Sequence, residues 1–325
     1  MSFFSYPLLQ RKATACVKLK FIVLITLAFV LLITAACKKK NTDQLRIGIV
    51  QPSINHLPFT YTINQNAVDI NDYKIIQFTS GWEAQEAIIG KEIDVAILPF
   101  TYAWNAAIKG YPVKIVSFLE RQSDGIVVGN GIKSIQDLNN KRIGILKAST
   151  LDILMQDFAQ SRKLQYTPVY FRSPSEQVAA LKSSNVDAIV SYVPTIQKFN
   201  DDYPVIHWFA DDYPMHPCCD LVVNTENLTK QRQKQLFTLF RAMNKQIPKI
   251  HTFGDEILQI ISKDYKLNID QASSALEHTG FMMGLEPSGM DFERKMIDIG
   301  VANGMFDKFP SDLDIYWNIT YKYQD

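Results

Sequence analysis

The chain is poor in the residues that staple or metallate small extracellular folds. It has four cysteines in 325 residues, and two of them, Cys218 and Cys219, are adjacent, so no spaced pairs offer a disulfide framework. Its five histidines are scattered. There is no His-Glu-x-x-His pattern, no glycine-rich phosphate loop and no Gly-x-Ser-x-Gly turn, so the common signatures of zinc hydrolases, nucleotide binders and serine hydrolases are missing. Net charge is only +1, and nothing offers the basic face that nucleic acid requires. Low-complexity stretches are absent too. With 47% hydrophobic and 21% charged residues, the chain must rely on a hydrophobic core, and its length suffices for two domains.

What the chain does have is a phrase stated twice. Arg46-Ile47-Gly48-Ile49-Val50 returns as Arg142-Ile143-Gly144-Ile145-Leu146, and Phe78-Thr79-Ser80-Gly81-Trp82-Glu83 returns as Phe171-Arg172-Ser173-Pro174-Ser175-Glu176. Ile93-Asp94-Val95 returns as Val186-Asp187-Ala188. Two stretches with the same order of elements imply two similar lobes, with a cleft between them where a small ligand can bind.

Each copy reads strand, helix, strand. Leu45–Val50 is an apolar run before a loop, Tyr73–Phe78 reads as a second strand, and Ile93–Leu98 lacks alternation, as expected of a strand covered on both faces of a parallel sheet. Ser80 and Glu83, and again Ser173 and Glu176, stand three apart at helix starts, the spacing of a capping box, and Pro174 sits where a first helical turn favours proline. Val113–Leu119 and Gly125–Val128 read as strands between the copies. From Asn227 onward the texture is helical, with Leu236, Leu239, Phe240 and Met243 at helical spacing. The fold class is therefore α/β, two-lobed, with a helical C-terminal part.

The N-terminus reads as an address. Arg11, Lys12, Lys18 and Lys20 precede an apolar run from Phe21 to Ile33, then Thr34-Ala35-Ala36-Cys37. A charged start, a short apolar run and small residues at the cut describe a secretory signal, and the run is short for a membrane span. Without residues 1–36 the chain holds 30 basic against 33 acidic residues. The cysteine directly after the small residues resembles a bacterial lipobox, with Thr34 in place of the usual leucine. That resemblance implies lipid attachment at Cys37, a tether over 37–44, and a place in the cell envelope, anchored to a membrane and facing the extracytoplasmic side.

Longer phrases carry a second resemblance. Glu86-Ala87-Ile88-Ile89-Gly90-Lys91-Glu92-Ile93-Asp94-Val95-Ala96, Ile132 to Gly144 (Ile-Lys-Ser-Ile-Gln-Asp-Leu-Asn-Asn-Lys-Arg-Ile-Gly), and Ala179-Ala180-Leu181 with Asp187-Ala188 resemble substrate-binding proteins of ABC importers in the nitrate/sulfonate/bicarbonate/thiamine-precursor group. The resemblance implies the type II periplasmic-binding-protein fold. It implies a first lobe over 45–119 plus 224–325 and a second over 120–223, with hinge crossings at Leu119–Gly125 and Pro217–Val222. It implies a monomer that presents a small organic molecule, thiamine-pyrimidine-like or sulfonate-like, to a membrane permease, without enzymatic activity or cofactor. An enzyme on the same fold, a thiamine-pyrimidine synthase or menaquinone-pathway lyase, is the alternative, as is a lipoprotein sensor domain. The segment Asn55 to Tyr61 departs from the small-residue helix usual in the group.

Candidate ligand contacts follow from the rule that ligands sit at the carboxyl ends of parallel strands. The rule selects Ser53 and Asn55 after the first strand, Ser80 and Trp82 after the second, and Thr101 after the third. In the second copy it selects Ser149 and Thr150, and Tyr192. Helix starts at Ser80 and at Ser149-Thr150 offer free N–H donors, and Trp82 or Tyr192 can stack on a flat ligand. The charged candidates point in opposite directions: Arg121 and Lys147 suit a sulfonate or carboxylate, while Asp220 suits a cationic or amino-bearing ring, as do Glu83, Glu120 and Asp124. His216-Pro217-Cys218-Cys219-Asp220 is the oddest local run. Its spacing is not that of a metal site, so Cys218 is expected beside the ligand as a small packing residue, with no metal and no catalytic group.

Overall fold

The computed structural model describes residues 43–319 apart from Pro52 and Asn200, and Cys37 and the whole N-terminal address lie outside the described residues. Both copies of the repeated phrase fold around the same ion pair. In the first, Arg46 donates to Asp94 through its backbone N–H (2.8 Å), Nε (3.1 Å) and Nη2 (2.6 Å). In the second, Arg142 donates to Asp187 through the same three groups at 2.8, 3.2 and 2.9 Å. Each pair ties the start of one strand to the turn before the third strand of its copy, and the guanidinium fork fixes the register that the apolar runs alone leave free.

The strands β1 (Leu45–Val50), β2 (Tyr73–Phe78), β3 (Val95–Pro99), β4 (Val113–Arg121), β10 (Pro217–Asn224) and β11 (Gly280–Gly284) form one sheet, in the order β11-β4-β10-β3-β1-β2. The strands β5 (Asp124–Val128), β6 (Lys141–Leu146), β7 (Tyr166–Phe171), β8 (Ala188–Tyr192) and β9 (Val205–Trp208) form the other, in the order β7-β6-β8-β5-β9. The repeat extends to topology. In each sheet the second, first and third strands run parallel, and an antiparallel strand delivered by the other half lies beyond the third. Burial of β1 and β3 on both faces explains why apolar residues there do not alternate with polar ones, and β10 is buried throughout, Asp220 and Asn224 included.

The chain passes between the sheets twice. The first passage is Gln122–Ser123, inside the expected crossing. The second lies upstream of the expected Pro217–Val222, because that stretch is the strand β10 at the centre of the first sheet, paired with both β3 and β4. The passage is therefore 209–216. The two passages are joined: the backbone N–H of Met215 donates to Gln122 Oε1 (2.9 Å), and that of Gln122 to the His216 carbonyl (3.2 Å). Gln122 and Met215 both hold the left-handed backbone region, at φ 52° and 56°, an uncommon state for such residues that the surrounding contacts must enforce.

The helices follow their sequence signals. They are α1 (Leu57–Asn64), α2 (Gly81–Ile89), α3 (Phe100–Ile108), α4 (Thr150–Ser161), α5 (Pro174–Lys182), α6 (Lys230–Ile250), α7 (Asp255–Tyr265), α8 (Ile269–Glu277) and α9 (Pro287–Ala302). Ser173 and Glu176 close a reciprocal capping box, while Ser80 accepts from the Glu83 N–H and Glu83 turns instead to the N–H and hydroxyl of Thr79. The segment with the unusual composition, Asn55 to Tyr61, is helical all the same, beginning in a short 3-10 turn and continuing as α1. Helices α6, α7 and α8 bury Leu236, Phe240, Met243, Ile257, Ile261 and Ala275 in one core with β1 and β10. Helix α9 packs Met296 and Ile297 into a second core with Ile153 and Phe158 of α4. Among the described residues no helix is long and apolar enough to cross a membrane.

Candidate functional site

Between the two sheets lies a chamber of about 50 Å³, lined by Ser53, Asn55, Tyr102, Glu120, Asp124 and Ser149 together with Ser123, Thr150, Tyr192, Cys218 and Cys219. That volume is room for only a few water molecules. It lies at the ends of parallel strands: Ser53 and Asn55 follow β1, Ser149 and Thr150 follow β6, and Tyr192 ends β8. Two bonds hold the halves together over it. Thr150 Oγ1 donates to the Cys218 carbonyl (3.2 Å), and Tyr102 Oη to the Lys147 carbonyl (3.4 Å).

Thr150 thus serves as a clasp, and the Ser149 hydroxyl turns away from the start of α4 to donate to the Leu146 carbonyl (2.7 Å). The expected capping by Ser149 does not occur. Asp152 takes the Ala148 N–H instead, at 2.9 Å. Ser53 accepts from the Asn55 N–H (3.3 Å), which holds the loop after β1 against the chamber.

Several residues picked from the sequence lie elsewhere. Thr101 is fully buried on α3 and does not line the chamber. Ser80 caps α2 outside it. Trp82 is 41% exposed and lines a separate outer recess, where its ring meets the edge of Tyr102 at 6.1 Å. Arg121 points to the far face of its strand, donating to both Glu286 oxygens at 2.6 and 3.2 Å. Asp220 also faces away, fully buried beside Glu293, and burial with the neighbouring Glu293 charge holds its carboxyl well above the ordinary range. Alternation explains both misplacements. Neighbours on a strand face opposite sides, so if Glu120 faces the chamber Arg121 cannot, and likewise for Cys219 and Asp220.

Cys218 and Cys219 break that alternation. The pairing of β10 with β4 shifts register on both sides of Cys219, and a bulge of this kind re-aims a side chain. Both thiols therefore reach the chamber, with their sulfurs 3.9 Å apart. Together with a carboxylate oxygen of Glu120, all three potential ligand atoms lie within 4.8 Å of one another. Sequence spacing gave no hint of this set, since a bulge is not visible in it. Two thiols and one carboxyl could hold a soft divalent cation only as thiolates; burial pushes Cys219 up to about 11, and the bond with Cys219, then burial, holds Cys218 well above the ordinary thiol range.

The electrostatics come from the crossing strands. Burial, then the nearby Asp124 charge, pushes the Glu120 carboxyl up to about 8. Asp124 Oδ2 lies 3.2 Å from His216 Nε2, and His216 Nδ1 lies 2.7 Å from the Tyr213 carbonyl. A carbonyl requires Nδ1 to carry a proton, so a further proton lies between Nε2 and Asp124. Asp124 is compensated by this histidine and Glu120 keeps its proton, so a mostly apolar chamber, walled by Val50, Pro99, Leu146 and Leu151 as well as Tyr102 and Tyr192, holds a small set of acceptors and is lined by no basic side chain. Among the polar lining residues, Ser123 and Cys219 were left out of the selection from the sequence, and Glu120 and Asp124 entered it only as charges suited to a cation. The available signal was a carboxyl pair flanking Gln122-Ser123 between two apolar strands, where neither acid has a surface role.

The model of the NMT1/THI5-like family matches residues 72–251, more than half of the chain. The chain belongs to the NMT1/THI5-like family. Solved structures share its fold. A ligand-binding component of an ABC-type import system from Staphylococcus aureus, solved with zinc bound, superposes with a TM-score of 0.74 at 18% identity, covering 87% of this chain and 99% of that one. The alkanesulfonate-binding protein SsuA from Xanthomonas axonopodis pv. citri, bound to MOPS, gives 0.71 at 18% identity over 85% and 98%. The periplasmic aliphatic sulphonate-binding protein SsuA from Escherichia coli gives 0.68 at 18% over 86% and 93%. No curated protein matches significantly. The fold is that of the type II periplasmic binding proteins, as the resemblance implied.

Proposed function

We propose that this member of the family is the extracytoplasmic binding component of an ABC importer, and that it captures a small amino-bearing organic molecule, thiamine-pyrimidine-like in character, in the chamber. The observation that carries the ligand class is the lining: Glu120 and Asp124 with several acceptor oxygens, and no basic side chain. A buried carboxyl beside a ring nitrogen and an exocyclic amine makes two charge-assisted hydrogen bonds. A sulfonate or nitrate placed there would find no basic side chain in the lining to pair with. Tyr192 supplies an aromatic wall. The chamber holds a few waters at most, so entry requires the halves to part at the Thr150 and Tyr102 contacts, rocking on Gln122–Ser123 and 209–216 as a hinge. The fold shared with ligand-binding components of importers supports the role, and the partners would be a membrane permease and the ligand, with the binding protein a monomer.

An enzymatic reading draws on the vicinal thiols and Glu120. It is disfavoured by the raised thiol pKa values, because the thiolate is the nucleophile and ligand.

The ligand reading is tested by calorimetry and thermal shift with aminopyrimidines, alkylamines, nitrate and bicarbonate. Aminopyrimidines or alkylamines are expected to raise the melting temperature, by the stabilisation that native-state binding confers, and the inorganic anions to leave it unchanged. Binding of nitrate or bicarbonate without any amine would sink the proposal.

The envelope location rests on Cys37, which we infer to be lipid-modified. Cys37→Ser is expected to release the protein from membranes or leave an uncut precursor, read by fractionation and gel mobility. A variant that fractionates and migrates like the parent would replace the lipid anchor with an uncleaved signal anchor.

A further inference from the structure

Outside the chamber lies a recess of about 270 Å³ that nothing in the chamber reading uses. It is lined by Lys109, Lys147 and Arg172 with Trp82, Asn105 and Tyr102, and no carboxylate lines it. The cations come from both halves: Lys109 from the end of α3, Lys147 and Arg172 from the turns after β6 and β7. None of the three forms an ion pair within 4.0 Å among the described residues; the twelve pairs found there all involve other side chains. Asp152 feels the Lys147 charge from behind, but its oxygens are already taken by the Ala148 N–H and the Gln156 amide. Three cationic side chains line one concave space, Lys147 with its ammonium also 6.0 Å from the Tyr170 ring centre, and an anion placed among them would meet three positive charges and no carboxylate.

The recess and the chamber share one wall, Tyr102. Its ring lies over the start of α2 because residue 81 is glycine: a Cβ there would stand 2.7 Å from the ring. Its hydroxyl reaches the Lys147 carbonyl. On one side of this ring are Glu120 and Asp124, on the other three cations and the exposed face of Trp82.

Building on the chamber reading above, we propose that the recess is an anion subsite of the same binding site, and that the ligand is bipolar: its amino-bearing end sits against Glu120 and Asp124, and a phosphate ester or sulfonate at its other end sits among Lys109, Lys147 and Arg172. The linking atoms pass Tyr102. Polarity runs along the cleft, so the two ends specify the ligand's direction as well as its identity, and a molecule with two amines or two anions is rejected at one end.

The test is a molecular ruler. The ω-aminoalkanesulfonates of two to six carbons, the n-alkylamines of the same lengths and inorganic sulfate are titrated by calorimetry at low salt. One chain length is expected to bind at least about thirtyfold more tightly than its amine, as two charge-assisted contacts would give. In Lys147→Gln and Arg172→Gln that ratio should fall by about tenfold each, and in the triple variant with Lys109→Gln it should approach one. Amine binding by the triple variant reports that it is folded. Lys74→Gln, an exposed change on β2 away from both spaces, should leave every affinity as it is. Amines that bind while aminosulfonates bind no more tightly overturn the anion subsite and leave the chamber reading standing, as does an advantage that survives the triple variant. Sulfate alone binding as tightly as the best aminosulfonate overturns the bipolar arrangement. If neither amines nor aminopyrimidines bind, the chamber reading fails first.

Discussion

Asp94→Ala is expected to destabilise the protein by about 3 kcal/mol, and Asp187→Ala by no more than about 1 kcal/mol, although both residues occupy the same place in the repeat. The difference lies in their surroundings. The Asp94 side chain is 0% exposed and accepts from three donors of Arg46 and from Arg232 Nη1 (3.2 Å), so its removal strands the Arg46 guanidinium and a backbone N–H and takes one partner from Arg232, which keeps Asp43 and the Asn227 carbonyl. The Asp187 side chain is 30% exposed, and its Arg142 partner retains the Ser184 carbonyl and water. For a chain of this size those costs correspond to losses of roughly 6–12 °C and 2–4 °C in melting temperature. Equal losses in the two variants would mean that burial does not set the strength of these pairs.

The repeat was legible because this pair recurs. An Arg at the head of a strand and an Asp before the third strand, separated by a capped helix, appear twice in the sequence and build two sheets of the same strand order. The strand-end rule then picked out Ser53, Asn55, Ser149, Thr150 and Tyr192, which the structure brings together around the chamber, since the rule needs only the ends of parallel strands. It failed where facing mattered. Glu120 and Arg121 are adjacent, and choosing which one meets the ligand requires the phase of β4, which an unbroken apolar run does not reveal. The two thiols share a face only because of a bulge set by β4 pairing. Trp82 follows a strand end, as the rule demands, yet its place in the first turn of α2 aims it at the recess. The helix start at Ser149 was legible, but the local competition that turns its hydroxyl to Leu146 and gives the free N–H to Asp152 was not.

Glu120→Gln should have the largest effect on binding, weakening the affinity for an alkylamine by about 2–4 kcal/mol, roughly 30- to 1,000-fold. The reasoning turns on where the proton resides. In the free protein Glu120 keeps its proton up to about pH 8, because burial disfavours the carboxylate and Asp124 stands nearby. An alkylammonium brings the counter-charge that the carboxylate lacks, so binding at pH 7 should release close to one proton. Affinity should then rise about tenfold per pH unit from 6 towards 8 and level off above, since only the ionised fraction binds the cation. Stability of the unliganded protein moves the other way. The native carboxyl holds its proton to about pH 8, while the unfolded one releases it near the ordinary value of 4.5. Between those values the native state binds more protons, so this group makes wild-type stability fall as pH rises across the window. The variant lacks that component, and its stability relative to wild type should increase from pH 5 to pH 9. Calorimetry in buffers of different ionisation enthalpy counts the released proton, and thermal melts across pH follow the stability. Proton release that persists undiminished in Glu120→Gln, or an affinity that does not change with pH in the wild type, would place the cation against Asp124 and His216 instead.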